Sequence, residues 1–241
     1  MPALTPFAAL VAAVRADPAT PLVTYVGPEG RTELSARSLE NAAAKAAGLL
    51  RDGLDVQPGD VVALLLDTHW QTSVWLAACW ATGALAWMDP TDFGDVAVAL
   101  ATGPRLDEIH GVPELLRVST HPFGLPSDQP LPGRAVEAAV EVRAYGDVFV
   151  PYAEPRPLDP ALRVGPSTLT GAEVMDQGAA LAARIGLDAG GRLLTTRPAT
   201  DLFGVLALLA APLAVAGSVV IAVEEDPERV RATENTTATL T

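Results

Sequence analysis

Apolar and polar positions alternate along this chain in a plan that occurs twice. The first passage reads as a helix over 36–51, a turn at 56–60, an apolar strand at 61–66, a helix over 71–81 and a second apolar strand at 84–88. The second reads as a helix over 172–185, a turn at 189–191, a strand at 192–196, a helix over 202–211 and a strand at 218–223. Short details recur as well: Gly53-Leu54-Asp55 matches Gly186-Leu187-Asp188, and Gly83 matches Gly217 as the residue opening the last strand. Continuous apolar strands belong in parallel sheets covered on both faces, and helix-strand-helix-strand order makes right-handed parallel crossovers. The expected class is therefore α/β, three-layered, with mostly parallel sheets covered by helices. Residues 1–168 are expected to form a first lobe with a proline-rich, irregular middle, and 169–225 a second unit packed on it.

Outside the two passages the pattern thins. A hairpin precedes the helix at 36–51, a strand is expected at 115–119 and a helix at 135–145, while 122–133 and 151–166 read as proline-rich connectors. The tail over 226–241 is acidic, then threonine-rich, and is expected to fray. Thr5 as a cap, Pro6 at the first helical position and Phe7, Leu10, Val11 and Val14 at helical spacing describe a docking helix, not an export signal. Residues 202–223 carry no charge and are long enough to raise a membrane span. Pro212, Gly217, the β-branched end and the acidic flank at Glu224, Glu225 and Asp226 favour a buried helix, turn and strand.

Charge narrows the function. With 16 basic against 29 acidic residues the net charge is −13, and no basic cluster offsets it, so nucleic-acid binding is not expected. The single cysteine, Cys79, lies in an apolar helix, which suits a reducing cytoplasm. His69, His110 and His121 are scattered, so no metal site is expected, and no serine stands in a Gly-x-Ser-x-Gly setting. Trp70, Trp75, Trp80 and Trp87 read as core and groove packing. Abundant Ala, Arg and Pro beside a single lysine suggest a GC-rich, actinobacterial source.

Residues 22–89, from LVTYVGPEGRTELS through DGLDVQPGDVVALLLDTHW to TGALAWMDP, resemble the start of adenylate-forming enzymes: acyl-CoA synthetases, luciferases and adenylation domains. Residues 169–223, from LTGAEVMDQGAALAARIG to AVAGSVVIAV, resemble the stretch after the phosphate loop of the same enzymes. The resemblance implies a Ser/Thr/Gly-rich loop ending in Pro-Lys-Gly between these blocks. Here only Arg163-Val164-Gly165-Pro166-Ser167-Thr168 separates Leu162 from Leu169, and the lone lysine, Lys45, lies far upstream. The later acidic and aromatic motifs and a lysine in a further subdomain, also implied by the resemblance, would follow Thr241. Adenylation joins a carboxylate to the α-phosphate of ATP and needs backbone N–H groups and cations around the phosphates. Arg156 and Arg163 read as solvated loop residues and do not replace them.

On the substrate side the resemblance implies a proline, an aromatic and a histidine near the acyl pocket. Pro198, Phe203 and Gly204 are kept, but Thr200 and Asp201 stand at the other places, and Asp201 also reads as the N-cap of the helix from Leu202. Thr195, Thr196, Thr200 and Asp201 fall at the carboxyl end of a parallel strand, where open α/β sheets bind ligands, and form the expected cleft. The function expected is a catalytically silent relative binding a small molecule or a protein partner, with no catalytic residue and no cofactor. An acyl- or nucleotide-handling enzyme with a rebuilt site, one completed by another chain, or a structural partner subunit are the alternatives, and a homodimer is allowed.

Overall fold

In a computed structural model, which describes residues 4–28 and 30–241, twelve strands form two sheets that share one layer of helices. The strands are β1 (Pro21–Gly27), β2 (Gly30–Ser35), β3 (Val61–Leu65), β4 (Leu85–Met88), β5 (Val96–Ala101), β6 (Glu114–Arg117), β7 (Val136–Glu137), β8 (Pro160–Val164), β9 (Ser167–Thr170), β10 (Arg192–Thr195), β11 (Ser218–Ala222) and β12 (Ala238–Leu240). The helices are α1 (Pro6–Ala16), α2 (Ala36–Gly48), α3 (Trp70–Thr82), α4 (Ala138–Glu141), α5 (Gly171–Ile185), α6 (Leu202–Leu208), α7 (Ala210–Ala214) and α8 (Pro227–Glu234).

The seven-stranded sheet runs β7-β6-β5-β3-β4-β8-β9 and is parallel except for β9. The five-stranded sheet runs β12-β10-β11-β1-β2 and is parallel except for β2. One continuous apolar core joins them. Val62, Leu64, Leu100 and Leu162 of the larger sheet and Val23, Leu193, Val219 and Ile221 of the smaller reach the same helices. Burying each such side chain contributes roughly 1.5–3 kcal/mol. The outer face of the small sheet is covered by Val230 of α8, and that of the large sheet by a 3-10 turn at Gly103–Glu108 with Ile109 and Val112.

Local chemistry sets the helix ends. Thr5 caps α1 through the Ala8 N–H, Ser35 caps α2 through the Ser38 N–H, and Thr170 with Glu173 makes a reciprocal capping box on α5. That box holds the Glu173 carboxyl below its ordinary pKa, chiefly through the Thr170 backbone N–H. α2 ends in a π turn at Leu49–Gly53 instead of continuing to residue 51 as a regular helix.

Several expectations change. The three-layer plan becomes two sheets around a common helical layer. The boundary at residue 168 does not divide the sheets, because β1 and β2 join β10 and β11, while residue 168 lies inside β9 of the large sheet. The tail does not fray: α8 is capped by Asp226, and β12 pairs in parallel with β10. Residues 135–145 form β7, one turn of α4 and a 3-10 turn at Val142–Ala144. The strand β5 was not among the expected elements, although its residues form an apolar run. It follows β4 through 89–95 without a helix, although both strands flank β3. Among the described residues no helix is long and apolar enough to cross a membrane. The stretch 202–223 is α6, α7 and β11, with Val205 through Ala211 and all of β11 buried.

Candidate functional site

The carboxyl ends of β3 and β10 face one another across the two sheets. After β3, the Thr72 hydroxyl donates to the Asp67 carbonyl (2.6 Å), and His69 caps α3 by accepting from the Gln71 N–H (3.3 Å) while its ring meets Tyr25 edge-on at 4.4 Å. After β10, the Ala199 N–H donates to the Thr68 hydroxyl (2.8 Å), which joins the two loops directly. The four residues expected to form a cleft lie on the second loop, mostly in structural roles. Thr195 is fully buried and accepts the Arg197 N–H (3.2 Å), and the Thr196 N–H donates to the Leu240 carbonyl (3.1 Å). Asp201 caps α6 through the Gly204 N–H (2.9 Å) and pairs with Arg197 at 3.0 Å. Thr200 is exposed.

The junction where a phosphate loop is implied is a hairpin. β8 and β9 pair antiparallel from Pro160↔Thr170 to Val164↔Ser167, leaving only Gly165 and Pro166 to turn the chain. Gly165 at φ +53° takes the left-handed turn position open to a residue without Cβ. Arg163 does not face an open phosphate site: its guanidinium lies 4.6 Å over Trp87 and its Nε donates to Thr168 (3.2 Å). Arg156 is held by Asp159 at 2.8 Å, and Lys45 pairs with Asp147 at 2.8 Å on α2.

An open cleft of about 1070 Å³ lies next to these loops, at the carboxyl ends of β3, β5 and β6. Asp67 forms one shoulder; Thr195, Thr196, Thr200 and Asp201 do not line this cleft, and their loop is tied to its neighbourhood only by the Thr68–Ala199 hydrogen bond. Its other wall, residues 119–132, hangs on Arg117. That buried side chain donates to Glu137 (2.6 Å), to the Gln129 and Pro130 carbonyls (2.7 and 3.1 Å) and to the Ser127 carbonyl (3.3 Å). With its charge met by Glu137 and three further N–H donors given to loop carbonyls, Arg117 positions the loop. Thr102 also lines the cleft; it is 3% exposed and its hydroxyl has no hydrogen-bond partner among the described residues. Asp67, Asp107 and Asp128 are the exposed charged lining residues. A donor-bearing neutral or cationic ligand suits these walls better than a phosphate. Thr102 and Arg117 went unnoticed in the sequence because each is a lone polar residue at a strand end, Thr102 just after β5 and Arg117 the last of β6; the apolar run 96–101 ending at Thr102-Gly103 was the available signal. Among the described residues no group of His, Cys, Asp or Glu is arranged to hold a metal ion.

Comparison with known proteins agrees with this architecture. The model of the AMP-binding enzyme family matches residues 10–99. A TIGR03089 family protein of Mycobacterium tuberculosis is 38% identical over 245 aligned positions, covering 94% of each chain. This chain belongs to the TIGR03089 family. Its fold is similar to that of an acyl-CoA synthetase from Brucella canis: the crystal structure superposes with a TM-score of 0.81 at 13% identity, covering 98% of this chain and 47% of the synthetase. The chain thus spans about half the length of that enzyme; its relationship to the adenylate-forming enzymes rests on the family-model match over residues 10–99, and the likeness to the synthetase is one of fold.

Proposed function

We propose that this chain is a catalytically silent relative of the adenylate-forming enzymes that binds a small polar molecule in the cleft between Asp67, Thr102 and the Arg117-anchored loop. The observation that carries the proposal is the Gly165-Pro166 turn: two residues close the junction at which the resemblance implies a phosphate cradle, and the one lysine of the chain, Lys45, is on α2 and paired with Asp147. Stabilising the charge of a transferring phosphoryl group without such donors costs several kcal/mol of barrier. Thr102 supports the binding half, since a buried hydroxyl without a partner is satisfied when a ligand reaches it.

ATP–pyrophosphate exchange tests the silent half. With a panel of carboxylates the purified protein should show no exchange above a heat-killed control, and carboxylate-dependent exchange well above it would overturn the reading. A protein-binding role is the second reading, favoured by the strap after α4 on which Val148, Val150, Tyr152 and Leu158 stand exposed.

A further inference from the structure

A second cavity, of about 560 Å³, opens between α2, α3 and α4. It falls within the size of small-molecule pockets, and its lining mixes apolar side chains with polar ones, among them Asn41, Gln71 and Ser119. Trp70, Trp75 and Val74 form one wall, small residues such as Ala42 and Ala139 leave the space, and the loop at Gly124 closes it. Gly124, at φ +62°, lies so close that a Cβ would meet the Trp70 ring at 3.2 Å. Trp70 is 7% exposed, yet its indole N–H has no acceptor among the described residues. A buried donor left without a partner costs about 1–3 kcal/mol, which an acceptor on a bound molecule would recover.

The mouth carries the charge. Lys45 and Arg143 line it with Asp147, a local excess of one positive charge in a chain of net −13. Lys45 pairs with Asp147, but the two are 38% and 59% exposed, and such a pair is worth ~0–1 kcal/mol. A ligand anion can exchange for it at little cost. Arg143 is exposed and makes no ion pair among the described residues. We infer that this cavity binds an amphipathic anion, an apolar ring or chain with one acidic group, its body on Trp70 and Trp75 and its acid against Lys45 and Arg143. The cavity shares Val118, Ser119 and Leu125 with the cleft of the proposed function, but Trp70, Trp75, Lys45 and Arg143 line this cavity and not that cleft, and their variants test it independently.

A matched pair of probes tests it: anilinonaphthalene sulfonate, and N-phenylnaphthylamine, the same ring system without the sulfonate. The sulfonate is expected to bind once per chain, to quench tryptophan emission and to bind more tightly than the neutral probe. Lys45→Met and Arg143→Met should each weaken the sulfonate about two- to fivefold and leave the neutral probe unchanged. Ala139→Leu should abolish binding of both. Equal affinity for the two probes, or a sulfonate preference untouched by both charge variants, overturns the inference. Sulfonate binding retained by a normally melting Ala139→Leu protein overturns it too; should that variant not fold, the two charge variants decide.

Discussion

The two αβαβ passages, α2-β3-α3-β4 and α5-β10-α6-α7-β11, share an order of elements and parallel strand pairs, yet they solve the same turns with different residues. In the first, α3 runs unbroken from Trp70 to Thr82 and Gly83 ends it in the left-handed region at φ +77°. In the second the helix breaks at Leu209, because Pro212 has no N–H to donate and its ring crowds the carbonyl of Leu208. The offset segment, α7, lies close against α5, where Gly178 leaves no room for a Cβ: one would come within 2.7 Å of the Ala210 backbone. The left-handed residue there is Ala216 at φ +50°, and Gly217 is needed for another reason, since its Cβ would strike the Gly191 carbonyl oxygen at 2.3 Å. The match of Gly83 to Gly217 is thus one of letters and not of backbone. The same holds for Gly53-Leu54-Asp55, where Asp55 takes the positive φ, against Gly186-Leu187-Asp188, where Gly186 does.

The sheet edges differ in kind as well, and the largest expected effect lies there. The large sheet ends at β7, held to β6 by the Arg117–Glu137 pair with side chains only 5% and 6% exposed. Glu137→Ala leaves Arg117 buried without its counter-charge and should cost about 3–5 kcal/mol in urea unfolding. Arg117→Met combined with Glu137→Leu should recover most of that stability, because two apolar side chains replace a desolvated pair. If the single variant unfolds like wild type, the loop 119–132 does not depend on this post.

The small sheet's edge is held by a network nearer the surface. Glu234 at the end of α8 accepts from Arg31 (2.7 Å) and Arg192 (2.7 Å), tying the C-terminal segment to β2 and β10. The Arg31 hydrogen bond, and then that of Arg192, holds the Glu234 carboxyl below the usual range. The sign follows from the lowered value: this stability is present above the ordinary glutamate pKa of about 4.3 and is lost as pH falls through the depressed one. Glu234→Ala should cost ~1.5–3 kcal/mol at neutral pH. Amide exchange should show α8 and β12 opening in acid in the wild type, with a weaker pH dependence in Glu234→Gln. An identical acid profile in the two proteins would remove Glu234 from the edge.

Those edges also show what the sequence makes legible. Both parallel strand pairs and the capping residues Thr5 and Asp201 follow from apolar runs and cap chemistry, which are local signals. The shortness of the junction was legible as a length: of RVGPST only Gly165 and Pro166 turn the chain, between β8 and β9. The tail was misjudged because β12 has little apolar pattern of its own; pairing with β10 and the distant Arg31 and Arg192 order it. The four residues expected to form a cleft, Thr195, Thr196, Thr200 and Asp201, do not line this one. Thr102, Arg117 and Glu137 are brought together by the order of strands in the sheet, and no local spacing encodes that order.

The smallest effects test the comparison most sharply, because they have opposite signs at corresponding turns. A non-glycine residue in the left-handed region costs roughly 1–2 kcal/mol, and glycine loses about 0.5–1 kcal/mol through its greater freedom in the unfolded chain. At Gly83 the native residue is the permissive one, and its Cβ position is also tight, 3.3 Å from Pro58. Gly83→Ala should therefore destabilise by about 1–2 kcal/mol. At Ala216 the chain already bears the strain, so Ala216→Gly should stabilise by about 0.5–1 kcal/mol, read as a higher urea midpoint at unchanged slope. If Ala216→Gly destabilises as Gly83→Ala does, the second turn is not strained at Ala216, and the contrast drawn between the two passages fails at that turn.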